Sequence, residues 1–420
     1  MSKLALLGGE KTIADGVIKN WPPIDDTDIA SVVNSLKGGN HAFGENFKAY
    51  EEEFAKWNGN KYARPTNSGT AALHMCIAGC GCSCGDEVIV AAYSWSSSAT
   101  CILHHNCIPI FVDIDYKTIN MDINKIEAVI TPRTKAIICI HLHGLPMEMD
   151  PVMKIAKKYN LKVIEDCCQA HGAKYKGVKV GNIGDCAAFS SNQNKCLCTG
   201  EGGVFVTNDK DIFDKASLLW SFGETKAPHE SRDYHVYALG WMYTPNDITC
   251  AFGRSQLAKL TGYQETLHEN AMTLENELKG VDGLILPYIP KDCESNYYNY
   301  TLRLDADKFG YGDRKVAFRD KVLEALIAEG TQIGIWQHFI LPKMTVFLAQ
   351  NAYGSGCPWS CPNATNVKPY IPEDYPMAQL HCDTHFGLTQ PLRAPNTPDV
   401  ARLVGKAIKK VLENVKDLNI

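Results

Sequence analysis

Apolar positions along this chain cluster in two ways. Short apolar runs at 62–65, 87–91, 108–113, 136–141 and 162–164, and those bounding GDCAAFSSNQNKCLCTGEGGVFVTND, have the length of buried strands. Between them, apolar residues recur with helical spacing at 28–36, 46–57, 71–78, 96–104, 123–130, 151–159 and 209–220. At 46–57, Phe47, Tyr50, Phe54 and Trp57 share one face, as in a helix packed on a core. Strands and helices thus alternate from Ala63 to Val206, which predicts a mostly parallel sheet covered by helices. In such a sheet ligands sit beyond the carboxyl ends of the strands.

The remainder reads differently. Residues 1–30, with Trp21, Pro22 and Pro23, suit an arm laid over a surface, and 221–239 is a polar loop holding His229, Arg232 and His235. Helices are expected at 246–260 and 264–278, the second as a brace between domains. Beyond Gly280 a strand at 296–304, a helix at 314–329, a strand at 332–336 and a helix at 398–415 follow, interrupted by a disordered-looking segment with Gly354, Gly356, Pro358 and Pro362. The expected fold class is α/β, with an arm and large domain over 1–262. A linking helix and a smaller C-terminal α+β domain take 263–420.

Composition narrows the function. At 420 residues the chain can form one large and one smaller core. It is 45% hydrophobic but has no apolar run near the roughly eighteen residues of a membrane span, and MSKLALLGGEKTI meets charge too early for a secretory leader. A cytoplasmic protein is expected. A net charge of -5 without a Lys/Arg cluster argues against nucleic acid as a partner. Seventeen cysteines, an odd number, favour free thiols over a disulfide framework. The groups Cys80, Cys82 and Cys84, Cys196 and Cys198, and Cys357 and Cys361 lack zinc-site spacing, so no metal is expected.

The chemistry concentrates between 161 and 208. Asp166 ends a buried strand, where an unpaired acid is costly, so a cationic partner is expected: a pyridinium nitrogen, Lys195 or His171. Lys195 lies in a loop between two apolar strands. A loop lysine is ordinarily solvated, but at the rim of a core it becomes an amine able to form an imine and carry a proton. An aldehyde cofactor with a pyridine ring needs both charges. Thr66-Asn67-Ser68-Gly69-Thr70 before a helix is either an ordinary cap or a phosphate seat. Ser190 offers a hydroxyl to the same phosphate. Trp95 either packs or lies flat on a planar ligand.

Taken together, NSGTAAL at 67–73, DEVIVAAYSWSSSA at 86–99, PIFVDID at 109–115, EDCCQAHGA at 165–173 and the Lys195 segment through GEGG resemble the DegT/DnrJ family of pyridoxal-phosphate-dependent sugar and cyclitol aminotransferases. The resemblance covers almost the whole chain. It implies the fold type I of PLP-dependent transferases, pyridoxal 5'-phosphate as cofactor, and a homodimer with sites at the subunit boundary. Position by position it implies Lys195 as the internal-aldimine lysine and Asp166 as partner of the ring nitrogen. Gln169 falls near the ring hydroxyl, Trp95 on the ring, and Ser68, Gly69, Thr70 and Ser190 at the phosphate.

Where the family has a sequence near G-Y-N-Y-R-M-T-E-I, this chain has Gly240-Trp241-Met242-Tyr243-Thr244-Pro245-Asn246-Asp247-Ile248. Met242 replaces the asparagine expected to reach the neighbouring subunit's phosphate, and Thr244 replaces the arginine. A thioether donates no hydrogen bond, so Asn246 is the expected substitute. Lysine at 195, rather than the histidine of related dehydratases, favours amine transfer. The expected reaction moves an amino group from glutamine or glutamate to a keto-cyclitol resembling scyllo-inosose, through a pyridoxamine form. The alternative acceptor is a nucleotide-linked keto-sugar, with Lys226, Arg232 and Lys343 as candidate basic contacts and His143 and His338 as candidate polyol contacts. A non-catalytic PLP-binding protein is a further alternative.

Overall fold

The computed structural model describes residues 3–224 and 234–420. The arm leads into α1 (Asp26–Gly38) and α2 (Glu45–Asn58); α1 starts at a capping box between Asp25 and Asp28. The large domain then runs β1 (Tyr62–Thr66), α3 (Gly69–Gly79), β2 (Glu87–Ala91), α4 (Ser97–His104), β3 (Ile108–Val112), β4 (Thr134–Ile140), α5 (Met149–Tyr159) and β5 (Lys162–Asp166). A small pair, β6 (Lys174–Tyr175) and β7 (Val178–Lys179), precedes β8 (Cys186–Ser190), β9 (Gly203–Thr207) and α6 (Lys210–Trp220).

Seven strands form the central sheet in the order β1-β9-β8-β5-β4-β2-β3. All run the same way except β9, which is antiparallel to both β1 and β8. Strands β2, β8 and β9 are buried at every residue, which is why they read as continuous apolar runs rather than alternating ones. Because β1, β2, β4, β5 and β8 are co-directional, Thr66, Ala91, Ile140, Asp166 and Ser190 all end at one edge of the sheet.

The two helices expected at 246–260 and 264–278 are one 32-residue helix, α7 (Asp247–Leu278), capped by Asn246. It tolerates Gly253 because α2 comes close there: a Cβ would lie 3.0 Å from the Tyr50 ring and from Thr199. The expected division at 262/263 falls inside this rod. Beyond it lie β10 (Leu284–Ile285), β11 (Cys293–Glu294), β12 (Tyr300–Leu304), α8 (Lys315–Ala328), α9 (Thr345–Leu348), α10 (Pro376–Thr384), β13 (His385–Leu388) and α11 (Pro398–Glu413). Strands β10, β12 and β13 make an antiparallel sheet, while β11 joins β6 and β7 in another.

Three further sequence expectations differ from the structure. The helix expected at 123–130 is two 3-10 turns, Ile123–Lys125 and Glu127–Val129, because the Asp122 carboxylate accepts from Asn124 N–H and turns the chain locally. The strand expected at 332–336 is a single bridge, Gly334 to Gly387. The segment that looks disordered around 354–362 is packed. Trp359 is buried and donates to Tyr370 Oη at 2.9 Å, and Tyr370 donates to the Pro109 carbonyl at 2.6 Å. Residues 341–375 thereby form a strap against β3, the outer strand of the sheet, with Phe111 between Phe347 and Tyr370. Among the described residues no helix is long and apolar enough to cross a membrane.

Candidate active site

Asp166 closes β5 with 4% of its surface exposed. Its Oδ2 accepts from Ser98 Oγ at 2.7 Å, Ser98 is hydrogen-bonded to Ser94 at 2.8 Å, and Oδ1 accepts from Cys168 N–H at 3.1 Å. Among the described residues no lysine, arginine or histidine is ion-paired with it. Its neighbour Glu165 points to the opposite face, as strand alternation requires. There Glu165 accepts from His141 Nε2 at 3.0 Å and from the amides of Gly181, Ile183 and Gly184 at 2.7–2.8 Å. Burial pushes the Glu165 carboxyl up, but His141 and those amides outweigh it and hold its pKa below the ordinary value. His141, Glu165 and Cys167 are the one group of three potential metal ligands among the described residues. His141 Nδ1 already accepts from Met147 N–H at 3.0 Å, so the cluster reads as a hydrogen-bonded support for the end of β5.

Lys195 is half-buried in the loop between β8 and β9. Its Nζ lies 3.4 Å from Tyr298 Oη and 4.7 Å from the centre of that ring. Distant segments hold the loop. Trp21 Nε1 donates to the Lys195 carbonyl at 3.1 Å, Gln193 donates to the Trp21 carbonyl at 3.2 Å, and Arg393 donates to the Asn194 carbonyl at 2.7 Å. The arm and the C-terminal portion of the chain therefore both fix where the amine sits.

The third part is the start of α3. Ser68 caps it by accepting from Ala71 N–H at 3.1 Å, which leaves the amides at the first turn directed outward. Ser190, at the end of β8, faces this turn closely: a Cβ on Gly69 would lie 2.7 Å from Ser190 Cβ and 3.1 Å from Cys168 Sγ. Thr70 Oγ1 meets Ser97 Oγ at 2.8 Å. Helix amides, their aligned dipoles and nearby hydroxyls together favour an anion.

Gln169 is buried and accepts from His143 N–H at 2.8 Å. His143 holds a left-handed φ of 55° and its Nδ1 lies 3.3 Å from the Asn299 amide nitrogen. Burial first, then His385 and Lys195, push the His143 pKa well below its ordinary value, so the ring is neutral. Trp95 is 53% exposed, with its ring 6.3 Å from that of Trp336. The side chain of Asn246 caps α7 at Thr249 N–H, 2.8 Å, and no hydrogen bond among the described residues joins it to Ser68, Thr70 or Ser190. Met242 is half-exposed; its sulfur accepts from Thr244 Oγ1 at 3.2 Å and its carbonyl from Asn67 Nδ2 at 3.1 Å. His338 and Lys343 are exposed, while Lys226, His229 and Arg232 lie outside the described residues.

Ser98, Tyr298 and Arg393 were not singled out by the sequence reading. The hydroxyl run SWSSSA gave a signal for Ser98. Tyr298 and Arg393 reach Lys195 and Asn194 across 103 and 199 positions, which no local pattern encodes.

The model of the DegT/DnrJ/EryC1/StrS aminotransferase family matches residues 22–369. The chain is 37% identical over 284 residues to GDP-perosamine synthase of Caulobacter vibrioides, covering 67% of this chain and 74% of that one. It is 32% identical over 320 residues to L-glutamine:2-deoxy-scyllo-inosose aminotransferase of Streptomyces fradiae, covering 72% and 74%. The crystal structure of 3-amino-5-hydroxybenzoic acid synthase superimposes with a TM-score of 0.81 at 25% identity, over 94% of this chain and 99% of the other.

Proposed function

The chain belongs to the DegT/DnrJ/EryC1/StrS aminotransferase family, and from that premise we propose that it moves an amino group from glutamate or glutamine to the ketone of a nucleotide-linked keto-sugar. The coarser description follows from membership itself. It is a PLP-dependent aminotransferase of fold type I acting on a sugar- or cyclitol-type ketone. The acceptor moves from the keto-cyclitol favoured by the sequence reading because the relative named for a GDP-sugar product is more similar, 37% against 32%.

The observation that carries this reading is the convergence, at one edge of the sheet, of a half-buried amine, a buried carboxylate that has no cationic partner among the described residues, and a helix start faced by the Ser190 hydroxyl. These suit pyridoxal 5'-phosphate group by group. The α3 amides with Ser68, Gly69, Thr70 and Ser190 would hold its phosphate, Asp166 its protonated ring nitrogen, Gln169 its ring hydroxyl and Trp95 the ring face. When bound, the cofactor supplies an aldehyde for the amine and a ring that withdraws electrons.

The chain's own groups do the rest. Asp166, held by Ser98 and the Cys168 amide, keeps a negative charge fixed at the sheet edge without reorganisation. Lys195 Nζ is the covalent anchor and, once freed, the base that carries a proton from donor to product, with Tyr298 Oη next to it. Neutral His143 orients Gln169 through its backbone amide and adds no competing positive charge. Large and small domains over 1–262 and 263–420, joined through α7, are part of the same reading.

A homodimer is proposed as well. Ile29, Val33 and Leu36 are exposed at 55%, 37% and 49% along one stretch of α1, as expected for a face that a second copy covers. Met242 and Asn246 would lie towards that copy's phosphate turn, with Asn246 Nδ2 the remaining donor. The test is a donor screen on purified holoenzyme followed by a panel of nucleoside-diphosphate keto-hexoses and scyllo-inosose-like ketones. Turnover at least about tenfold higher in kcat/KM with a nucleotide-linked ketone is expected; preference for a free cyclitol would overturn the acceptor assignment.

A further inference from the structure

We propose that Cys84 and Cys361 are a redox pair that closes to an intramolecular disulfide when the protein meets a low-molecular-weight disulfide such as oxidised glutathione. The two Sγ atoms lie 3.1 Å apart although 277 positions separate them in sequence. A disulfide needs about 2.05 Å, so side-chain rotation rather than backbone movement brings them to bonding distance.

The frame around the pair is already in place. Cys84 sits in the turn between α3 and β2, and Cys361 in the strap. At Gly85 a Cβ would lie 2.7 Å from Asn363, so the two segments touch backbone to backbone. On either side the strap is pinned to the large domain, by Tyr353 Oη on the Leu103 carbonyl at 2.9 Å, Arg133 on Thr365 at 2.9 Å and Tyr370 on Pro109 at 2.6 Å. Both thiols are part-exposed. The other close pair, Cys80 and Cys186 at 3.6 Å, includes a fully buried strand residue that an oxidant cannot reach.

The environment also divides the labour. Either sulfur can donate across the contact; hydrogen bonding with Cys84, helped by the neighbouring backbone at Asn363 and Ala364, holds the Cys361 thiol below its ordinary pKa, while hydrogen bonding with Cys361 and burial raise that of Cys84. Cys361 thiolate attacks one sulfur of the small disulfide, breaks its S–S bond and releases one thiolate. Cys84 then gives its proton to solvent, attacks Cys361 Sγ and expels the second. The protein loses two electrons and two protons, and the small disulfide becomes two thiols.

The bond would fasten the strap within its second half, between the contacts of Tyr353 and Thr365. At its near end Leu341 N–H donates to the Ala92 carbonyl at 2.8 Å, three residues before Trp95. Oxidation of holoenzyme with oxidised glutathione, alkylation of the remaining thiols and non-reducing peptide mass spectrometry test the proposal. The expected product is a Cys84–Cys361 cross-link in most chains, reversed by dithiothreitol, with the thermal midpoint raised by about 2–4 °C. Cys84→Ser should trap glutathione on Cys361, and Cys361→Ser should leave Cys84 unmodified. A cross-link through Cys357, a lasting mixed disulfide in the unsubstituted protein, or both thiols unreacted would each overturn it.

Discussion

Ser98 Oγ donates to Asp166 Oδ2 at 2.7 Å, from the first turn of α4 to the last residue of β5. The bond orients the carboxylate from a second element, so losing it should disturb the acid without removing it. Ser98→Ala is expected to lower the rate of the donor half-reaction about tenfold, the scale of one hydrogen bond to a charged group. Asp166→Asn should lower it by roughly 10²–10⁴-fold. Stopped-flow spectra of the cofactor measure both; a Ser98→Ala enzyme as impaired as Asp166→Asn would mean that the hydroxyl does more than orient.

Lys195 is expected to carry the cofactor covalently. Borohydride reduction of holoenzyme followed by peptide mapping should place the cofactor mass on the Lys195 peptide. Lys195→Ala should bind the cofactor reversibly and transfer no amine. A label on any other lysine would remove the assigned role.

Glu329, fully buried, accepts from Ala5 N–H at 2.8 Å, Thr12 N–H at 2.9 Å, Thr12 Oγ1 at 2.6 Å and Lys410 Nζ at 2.9 Å. It therefore ties the arm to the end of α8 and to α11. Burial raises its pKa, but these donors outweigh burial and the net shift is downward. A carboxylate with a depressed folded pKa stabilises above its unfolded pKa of about 4.3, and that contribution is lost as pH falls through the folded value. Glu329→Gln should cost about 3 kcal/mol at neutral pH, with the deficit shrinking below about pH 4. Urea denaturation across pH gives the comparison, and a constant deficit down to acid would exclude ionisation as the cause.

Several buried histidines should set the behaviour at mildly acidic pH. Burial pushes His74 and His171 down to about 3 and His385 down to about 4, and takes His381 well below its ordinary value. The folded protein keeps these rings neutral while the unfolded chain takes up protons near pH 6.5. Stability should therefore fall as pH drops from 7 to 5, each ring contributing up to about 1.4 kcal/mol per unit below its unfolded pKa. Glu51 works in the opposite direction, because burial raises its pKa to about 7 and the folded state takes up its proton in that window; in a Glu51→Gln background, a flat unfolding free energy between pH 7 and 5 would contradict the neutral assignment.

Much of the frame was readable from residue order. Glu87–Ala91 is a strand with the expected limits, and α2, α3, α5 and α6 begin and end within two residues of expectation. Fully buried parallel strands leave an uninterrupted apolar run, and a helix leaves its period. Asp166 and Lys195 were visible because a charge beside such a run needs a reason. The rest depended on distant partners. Two helices were expected at 246–260 and 264–278, yet the chain stays helical without interruption from Asp247 to Leu278. Glycine and proline at 354–362 suggested disorder because Trp359, Tyr370 and Pro109 meet only in three dimensions. The same distance hid Tyr298 and Arg393.

The reversed direction of β9 has a consequence for how the amine is placed. Ser190 and Gly203 are paired in register, so residues 191–202 leave and re-enter the sheet at adjoining rungs. The span available to Lys195 is thus set by the contour of this twelve-residue connection and by its anchors at Trp21 and Arg393, while the strands behind it are indifferent to that contour. Shortening the connection by a single residue would leave the β8–β9 ladder whole but move the amine relative to the arm and to Arg393, which hold the same loop, so its length and those two anchors have to change together.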